Sequence, residues 1–570
     1  MSHNPRLADK NTTYTNARVT SIQTEEGTTN YSYACQSNVS QISRGSESFS
    51  FTYDGTLLTS INQTGQLNQT IDYMYNNAPQ GHFLASSQHF NSTSMTYAGQ
   101  TENYTYNDDG ELISIGAMAI APYTITRKQK NRKIIVSDGN YRQVTKLNKY
   151  GELRRQKDNI IKVRLKRNKV GQIVKKVEKL QGQRKKVYHY TYDDRGRLTK
   201  ACRVGLPSHQ GCESYTYDSN GNRQSATVNN QTITASYTLD DNLVVYGDNT
   251  YLYDDDGYLT EKTTPNGTTT YSYGTLGELL SVSTPTQNIT YMHNANNQRV
   301  AKHIDGTVVE KYLWADLTTL LAVYDGNDTL KQRFEYANGR MPVAMTDANN
   351  TKYYLHYDQV GSLRAVSDTQ MNIVKEITYD TFGNVLTDSN EAFKVPFGFA
   401  GGLYDVDTKL TRFGYRDYDA YTGKWTAKDP IGFQGGDSNL YGYVLGDPVG
   451  GFDSNGLWTL STESFQHIWN SGPYDATVGG FDAYLAWDAI DIMYPHGETS
   501  ESNAVRHCLW SCLMSKDIGK DTAKEIGDLH ETLGDKDATD LWNNCVGRNI
   551  DKEESCVISC VNAWKNGDLK

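Results

Sequence analysis

Carboxylates and imidazoles gather in two places along this 570-residue chain. In the stretch Gly414-Tyr-Arg-Asp-Tyr-Asp-Ala-Tyr-Thr-Gly-Lys-Trp-Thr-Ala-Lys-Asp-Pro-Ile-Gly-Phe433, three aspartates (Asp417, Asp419, Asp429) lie close together. Two carboxylates can act as acid and base on one bond when close approach keeps one protonated and the other ionised. Aspartate before Pro or Gly also serves as a turn residue that caps backbone N–H groups, so spacing alone leaves both readings open. Asp419 is read as strand surface. Further on, Arg506-His507-x-x-Trp510, His530-Glu531 and Asn543-Asn544-x-x-Gly547-Arg548 spread polar groups over separate segments. Two imidazoles and a carboxylate converging from different helices are the equipment of a general acid–base site or a metal site, whereas a lone helical His is more often a hydrogen-bonded structural residue.

The elements that position these residues differ between the two places. The chain holds 41 Tyr and 48 Gly against 14 Phe and 12 Pro. Its mean hydropathy is −0.66, so apolar burial rests on tyrosine rings and turn-rich units rather than on long apolar segments. The pattern aromatic-x-Tyr-Asp-x-x-Gly-x-Leu recurs, as in Tyr190-Thr-Tyr-Asp-Asp-Arg-Gly-Arg-Leu198 and Tyr251-Leu-Tyr-Asp-Asp-Asp-Gly-Tyr-Leu259. Alternation puts Tyr190 and Tyr192 on one strand face, Gly196 supplies the positive φ of a turn, and Leu198 begins the return strand, so each copy predicts one β-hairpin. The longest apolar run, residues 115–121, is far short of the ~20 residues of a spanning helix. The polar start lacks a secretory leader, so a signal-less export route is expected.

From residue 458 the pattern changes. Of 56 Lys+Arg and 66 Asp+Glu, 9 and 19 fall in residues 458–570, which carry −10, leaving 47 of each sign before them. Helical spacing appears there, with Leu509, Cys512 and Leu513 on one stripe, Ala523, Ile526, His530 and Leu533 on another, and Val557, Ile558, Val561 and Trp564 on a third. This predicts a small all-α domain. Cys508-x3-Cys512 and Cys556-x3-Cys560 would suit a disulfide-bonded hairpin in an oxidising compartment, or else buried thiols. An acidic domain is repelled by phosphates, so nucleic acid is not the favoured substrate. In contrast, residues 127–187 hold 22 Lys+Arg against 4 Asp+Glu, with cations alternating along Lys162-Val-Arg-Leu-Lys166. Aromatic residues are sparse in this band. It is read as a solvated face or as a cavity lining that holds the acidic tail, ahead of a nucleic-acid surface.

The hairpin motifs resemble the YD repeats of the Rhs family. Gly414–Phe433, Asn439-Leu-Tyr-Gly-Tyr-Val444 and Asp453-Ser-Asn-Gly-Leu457 are similar to that family's associated core. The resemblance implies a mainly β fold, a YD-repeat sheet wound into a hollow cocoon-like shell (1–390), closed by the core (391–457) and followed by an all-α toxin (458–570). It also implies a self-cleaving aspartyl site in which Asp417 and Asp429 form the pair, Arg416 orients or charges it, and the cut falls between Leu457 and Trp458. Ser454 stands where the family usually has Pro. No cofactor is expected for that cut. The tail pattern is similar to a helical domain of bacterial secreted proteins, with His507, His530 and Glu531 as candidate catalytic residues and Arg506, Asn544 and Arg548 at the cleft; its metal and cofactor needs are left open. The expected whole is a secreted effector, of the type VI kind, whose toxin hydrolyses an envelope component or small molecule of competitor bacteria, with the periplasm a possible destination. Its expected partners are its own cleaved toxin, an immunity protein and a secretion spike or adaptor. The rival reading is a carrier of a pore-forming or insecticidal, Tc-like toxin, for which residues 481–493 are amphipathic but interrupted by Asp.

Overall fold

The computed structural model describes residues 11–457, apart from 16–17, 25–26, 35–37, 55–56, 76–91, 108–110, 118–120, 129–131, 208–210 and 338; beyond Leu457 it describes only 460–461, Cys508 and Ala563. A single sheet of 36 strands runs from β1 (Asn11–Thr15) to β36 (Val385–Asp388), each strand antiparallel to its chain neighbour. The mainly β expectation is met. The predicted all-α tail lies outside the described residues.

The repeat explains the hairpins. After β17 (Lys186–Tyr192), Asp193 Oδ1 accepts the N–H groups of Arg195 (3.1 Å) and Arg197 (2.9 Å), Gly196 takes φ 87°, and β18 (Leu198–Arg203) begins on Leu198, which is fully buried. The same Asx clamp recurs at Asp218, Asp347, Asp368 and Asp380. One detail departs from simple alternation. A β-bulge falls before the motif's second tyrosine, at Thr191/Tyr192 and again at Thr216/Tyr217 and Leu252/Tyr253. The bulge re-aims that ring. Its hydroxyl donates to the first carbonyl of the preceding return strand: Tyr192 to Ile173 (2.8 Å), Tyr217 to Leu198 (2.8 Å) and Tyr237 to Arg223 (2.9 Å). Each repeat is thus stapled to the one before it, which fixes register where side-chain periodicity alone would allow slippage.

The sheet coils back on itself. Tyr97 at the end of β8 (Ser92–Tyr97) donates to the carbonyl of Phe334 in β31 (Leu330–Glu335), and Glu178 of β16 (Ile173–Leu180) meets Arg364 of β34 (Leu363–Ser367) at 2.6 Å. Tyr141 stacks on Tyr354 with centroids 5.2 Å apart. Along this seam the early strands and turns supply carboxylates and the later ones bases: Asp138 with Lys352 (3.6 Å), Asp158 with His356 (3.1 Å), Glu178 with Arg364. All five residues of β34 are buried, as expected of a strand covered on both faces.

Residues 397–425 carry a separate small sheet, β37 (Leu403–Tyr404), β38 (Leu410–Phe413), β39 (Arg416–Asp419) and β40 (Lys424–Trp425), and β41 (Gly451–Phe452) pairs with β42 (Leu460–Ser461) beyond Leu457. Phe399, Phe413, Tyr418, Trp425, Tyr443 and Phe452 form its core. Ion pairs Lys302–Asp405 (2.7 Å) and Lys262–Asp419 (3.2 Å) tie it to the large sheet. Asp419 is therefore buried and paired, which corrects the surface reading: strand alternation puts it on the face of β39 turned to the large sheet.

Candidate active site at the end of the core

The chain segment before the expected cut is folded against the turn between β38 and β39. Gly414 takes φ 44°, and a Cβ there would lie 2.4 Å from the Asn455 carbonyl oxygen, so only glycine permits this approach. The Tyr415 N–H donates to the same carbonyl at 2.8 Å. Asp453 Oδ1 then accepts the N–H groups of Gly456 (2.7 Å) and Leu457 (3.2 Å). The last residues before the expected cut are held in one conformation by hydrogen bonds of their backbone N–H and carbonyl groups.

Arg416 is the hub. Its guanidinium pairs with Asp429 Oδ2 at 2.8 Å and Asp453 Oδ2 at 3.5 Å, donates to the carbonyls of Gly456 and Leu440, and lies 4.3 Å from the Trp425 ring centroid. Asp429, Asp437, Asp453 and the Leu457 carbonyl line one pocket with it, large enough for about one water molecule. Gly435 shows how close the parts lie. A Cβ built there would be 2.8 Å from both Asp429 Oδ2 and the Leu457 carbonyl oxygen, so carboxyl and carbonyl share the space above one glycine.

Burial raises the Asp429 carboxyl to about 7, and Arg416 and the Ile431 N–H only partly offset it; Asp453 and Asp437 add to the rise. Arg416 alone cannot hold it ionised, because its one charge is shared with Asp453 and two carbonyls. Asp437 is likewise raised, first by burial. The pocket therefore contains a carboxyl able to give or take a proton near neutral pH.

Of the residues picked out by sequence, the structure brings Arg416, Asp429 and Leu457 together. It does not place Asp417 with them. Successive strand residues point to opposite faces, so Asp417 is turned away from Arg416 and sits between Arg299 (3.0 Å) and Arg412 (2.8 Å), its side chain 1% exposed. Sequence reading missed Asp437 and the place of Asp453 in this pocket, although Asp453 opens the very motif that ends at the expected cut. Trp458, Arg506, His507, His530, Glu531, Asn544 and Arg548 lie outside the described residues; Cys508 is buried and disulfide-bonded. Among the described residues no group of His, Cys, Asp and Glu is arranged to hold a metal.

A sheet of stapled YD hairpins coiled against a small aspartate-bearing core defines a YD-repeat shell protein of the Rhs kind. The chain belongs to the teneurin YD-shell family, whose model matches residues 10–444. Residues 487–565 match a domain of unknown function, DUF6973. Teneurin-1 of Gallus gallus is 26% identical over 314 residues, 49% of this chain and 11% of its own length. The tRNA3(Ser)-specific nuclease WapA of Bacillus spizizenii is 27% identical over 255 residues, 43% of this chain. The chain thus spans 11% of either relative. The Photorhabdus luminescens Tc holotoxin pore shares the fold, with TM-score 0.54 and 15% identity over 78% of this chain and 28% of that one.

Proposed function

We propose that the chain is a self-cleaving toxin carrier: residues 1–390 form the wall of a hollow shell, 391–457 the core that cuts after Leu457, and 458–570 the enclosed toxin. The observation that carries this reading is the placement of the Asp429 carboxyl beside the Leu457 carbonyl. In the proposed step, protonated Asp429 donates to the Leu457 carbonyl oxygen while an ionised partner carboxylate takes a proton from the attacking water. As the C–N bond breaks, the partner passes that proton to the leaving nitrogen of residue 458 and Asp429 recovers its own from the diol hydroxyl, so that the products are the Leu457 carboxylic acid and an amine, which ionise to carboxylate and ammonium. Asp453 is the nearer partner in this geometry, and Asp417 acts through Arg412 and the position of β39. Intact-mass analysis of purified protein tests it: two associated fragments are expected, the smaller beginning at Trp458, and a single uncut chain would sink the proposal.

Two further outcomes follow from the pocket. Because Asp429 titrates near 7, its acid form is present below that pH and lost above it, so the cleavage rate should hold on the acid side and fall about tenfold per pH unit beyond 7. A rate that climbs steadily from pH 6 to 9 would contradict the assignment. Gly435→Ala forces a methyl between carboxyl and carbonyl, and should slow cleavage about tenfold or more, read as the fraction cut over time.

For the cargo, we hold to a hydrolase in which His507, His530 and Glu531 share a cleft edged by Arg506 and Asn544 or Arg548, delivered by a type VI spike or adaptor to the envelope of competitor bacteria and neutralised by an immunity protein. The matched domain of unknown function leaves its substrate open. Exporting residues 458–570 to the periplasm of a test bacterium should arrest growth, and His530→Ala should abolish the arrest at equal protein level. Continued killing by that variant would favour the pore-forming or insecticidal reading, to which the Tc-like fold lends support.

A further inference from the structure

The register of β11 (Tyr123–Lys128), β12 (Lys133–Ser137), β13 (Arg142–Leu147), β14 (Leu153–Lys157) and β15 (Ile161–Arg167) stacks cations. Lys128 stands opposite Lys133, Lys133 opposite Lys146, Lys146 opposite Arg155, and Arg155 opposite Arg164. One cation from each of five neighbouring strands forms a row about 19 Å long. Beside it, Lys162 faces Lys157 on one side and Lys179 on the other, and Lys166 faces Lys175. Like charges directly opposite one another destabilise a sheet. Among the described residues none of these ten cations has an ion-pair partner.

The acids of the band are elsewhere. Glu178 points to the other face and pairs with Arg364; Asp138 and Asp158 are spent on the seam, and Glu152 lies 3.6 Å from Arg167. That other face is apolar: Ile134 and Val136 pack towards Tyr354, and Val163 and Leu165 towards Ala365 and Phe382. The cationic face is the one turned away from the later strands, with Arg164, Lys166 and Lys179 exposed. The Lys162 ammonium is held below its ordinary value by desolvation first and then by Arg164, Arg155, Lys157 and Lys179.

We propose that this cationic face is the seat of residues 458–570 of the same chain. The inference rests on the enclosure reading above and adds where the cargo is held. Charge complementarity carries it: the tail concentrates −10 in 113 residues, about twice the density of the −18 that the rest of residues 1–457 sets against the +18 of this band, and the ten cations of this face are left without ion-pair partners among the described residues. The residues between the cations in the rows, Thr126, Ile135, Val144 and Val177, include no aromatic ring, so the face lacks the stacking platforms of a single-strand nucleic-acid binder.

Zero-length carbodiimide cross-linking of the full chain, read by mass spectrometry beside limited proteolysis, tests this. Lys133, Lys146, Lys162 and Lys179 should couple to Asp and Glu of 458–570, with the yield falling at least fivefold in 1 M salt. A tail that resists protease while these lysines couple only elsewhere would overturn the docking face and leave enclosure standing. A digested tail with no such couplings would remove both. Binding of a random DNA duplex by the full chain at 150 mM salt, weakened at least tenfold in Lys133→Glu/Lys146→Glu/Arg155→Glu/Arg164→Glu, would show the face to be open and also overturn the proposal.

Discussion

Full-length protein carrying Asp429→Asn is expected to accumulate as one uncut polypeptide, with cleavage slowed by at least 10²–10⁴-fold, the usual worth of a positioned acid or base. The amide is close to isosteric and keeps a contact to Arg416, but it cannot deliver a proton at the Leu457 carbonyl. Folding should survive, because the wild-type carboxyl is itself disfavoured by burial. Asp417→Asn should also block the cut, and for a different reason. It leaves Arg299 and Arg412 buried without the one carboxylate that ion-pairs with both, so a lower unfolding midpoint should accompany the loss. If Asp429→Asn still yields a fragment starting at Trp458, the site is misassigned. If Asp417→Asn blocks cleavage with an unchanged midpoint, Asp417 acts on the bond itself and the pocket must rearrange before cutting.

The second large effect is expected at the seam. Arg364→Met removes the nearer partner of Glu178 and leaves a carboxylate 1% exposed with only Lys176, at 3.7 Å, to balance it, which should cost about 3 kcal/mol in a denaturant midpoint. Glu178→Leu/Arg364→Met together should recover most of that loss, since two apolar side chains do not leave a charge stranded. Burial alone would raise the Glu178 carboxyl, yet Arg364 and Lys176 hold it below its ordinary value. Its contribution is therefore complete above the unfolded carboxylate range and lost as the pH falls through the lower folded value. Acidification should cost the wild type more stability than the double variant, which keeps only the Asp138 and Asp158 pairs of the seam.

Much of the fold was legible because it is local. Tyr-Asp-x-x-Gly-x-Leu specifies its own turn through the Asp193 carboxylate, Gly196 and Leu198, and the copy number implied a long antiparallel sheet. The seam was not legible, since nothing in a single strand tells Glu178 that it will meet a residue 186 positions later. The site divides in the same way. Arg416, Asp429 and Leu457 could be picked from the core motif, but a spacing of residues does not say which strand face each occupies, and alternation along β39 separates Asp417 from its expected partner. Asp437 and Gly435 sit in an irregular turn with no periodic signal, and only the packed structure shows them in the pocket with Leu457.

The signs along the seam also bear on the order in which the protein forms during synthesis. Hairpins can add one by one as the ribosome releases them, because each pairs with its immediate predecessor. The carboxylates of the first circuit, Asp138, Asp158 and Glu178, must then wait for Lys352, His356 and Arg364 to be made. Until well past the middle of the chain is translated, the nascent wall is an open ribbon whose three seam carboxylates lack these partners. The circuit shuts only when the segment that carries the proposed cutting residues is about to emerge, so that closure and the pocket around Asp429 arrive nearly together.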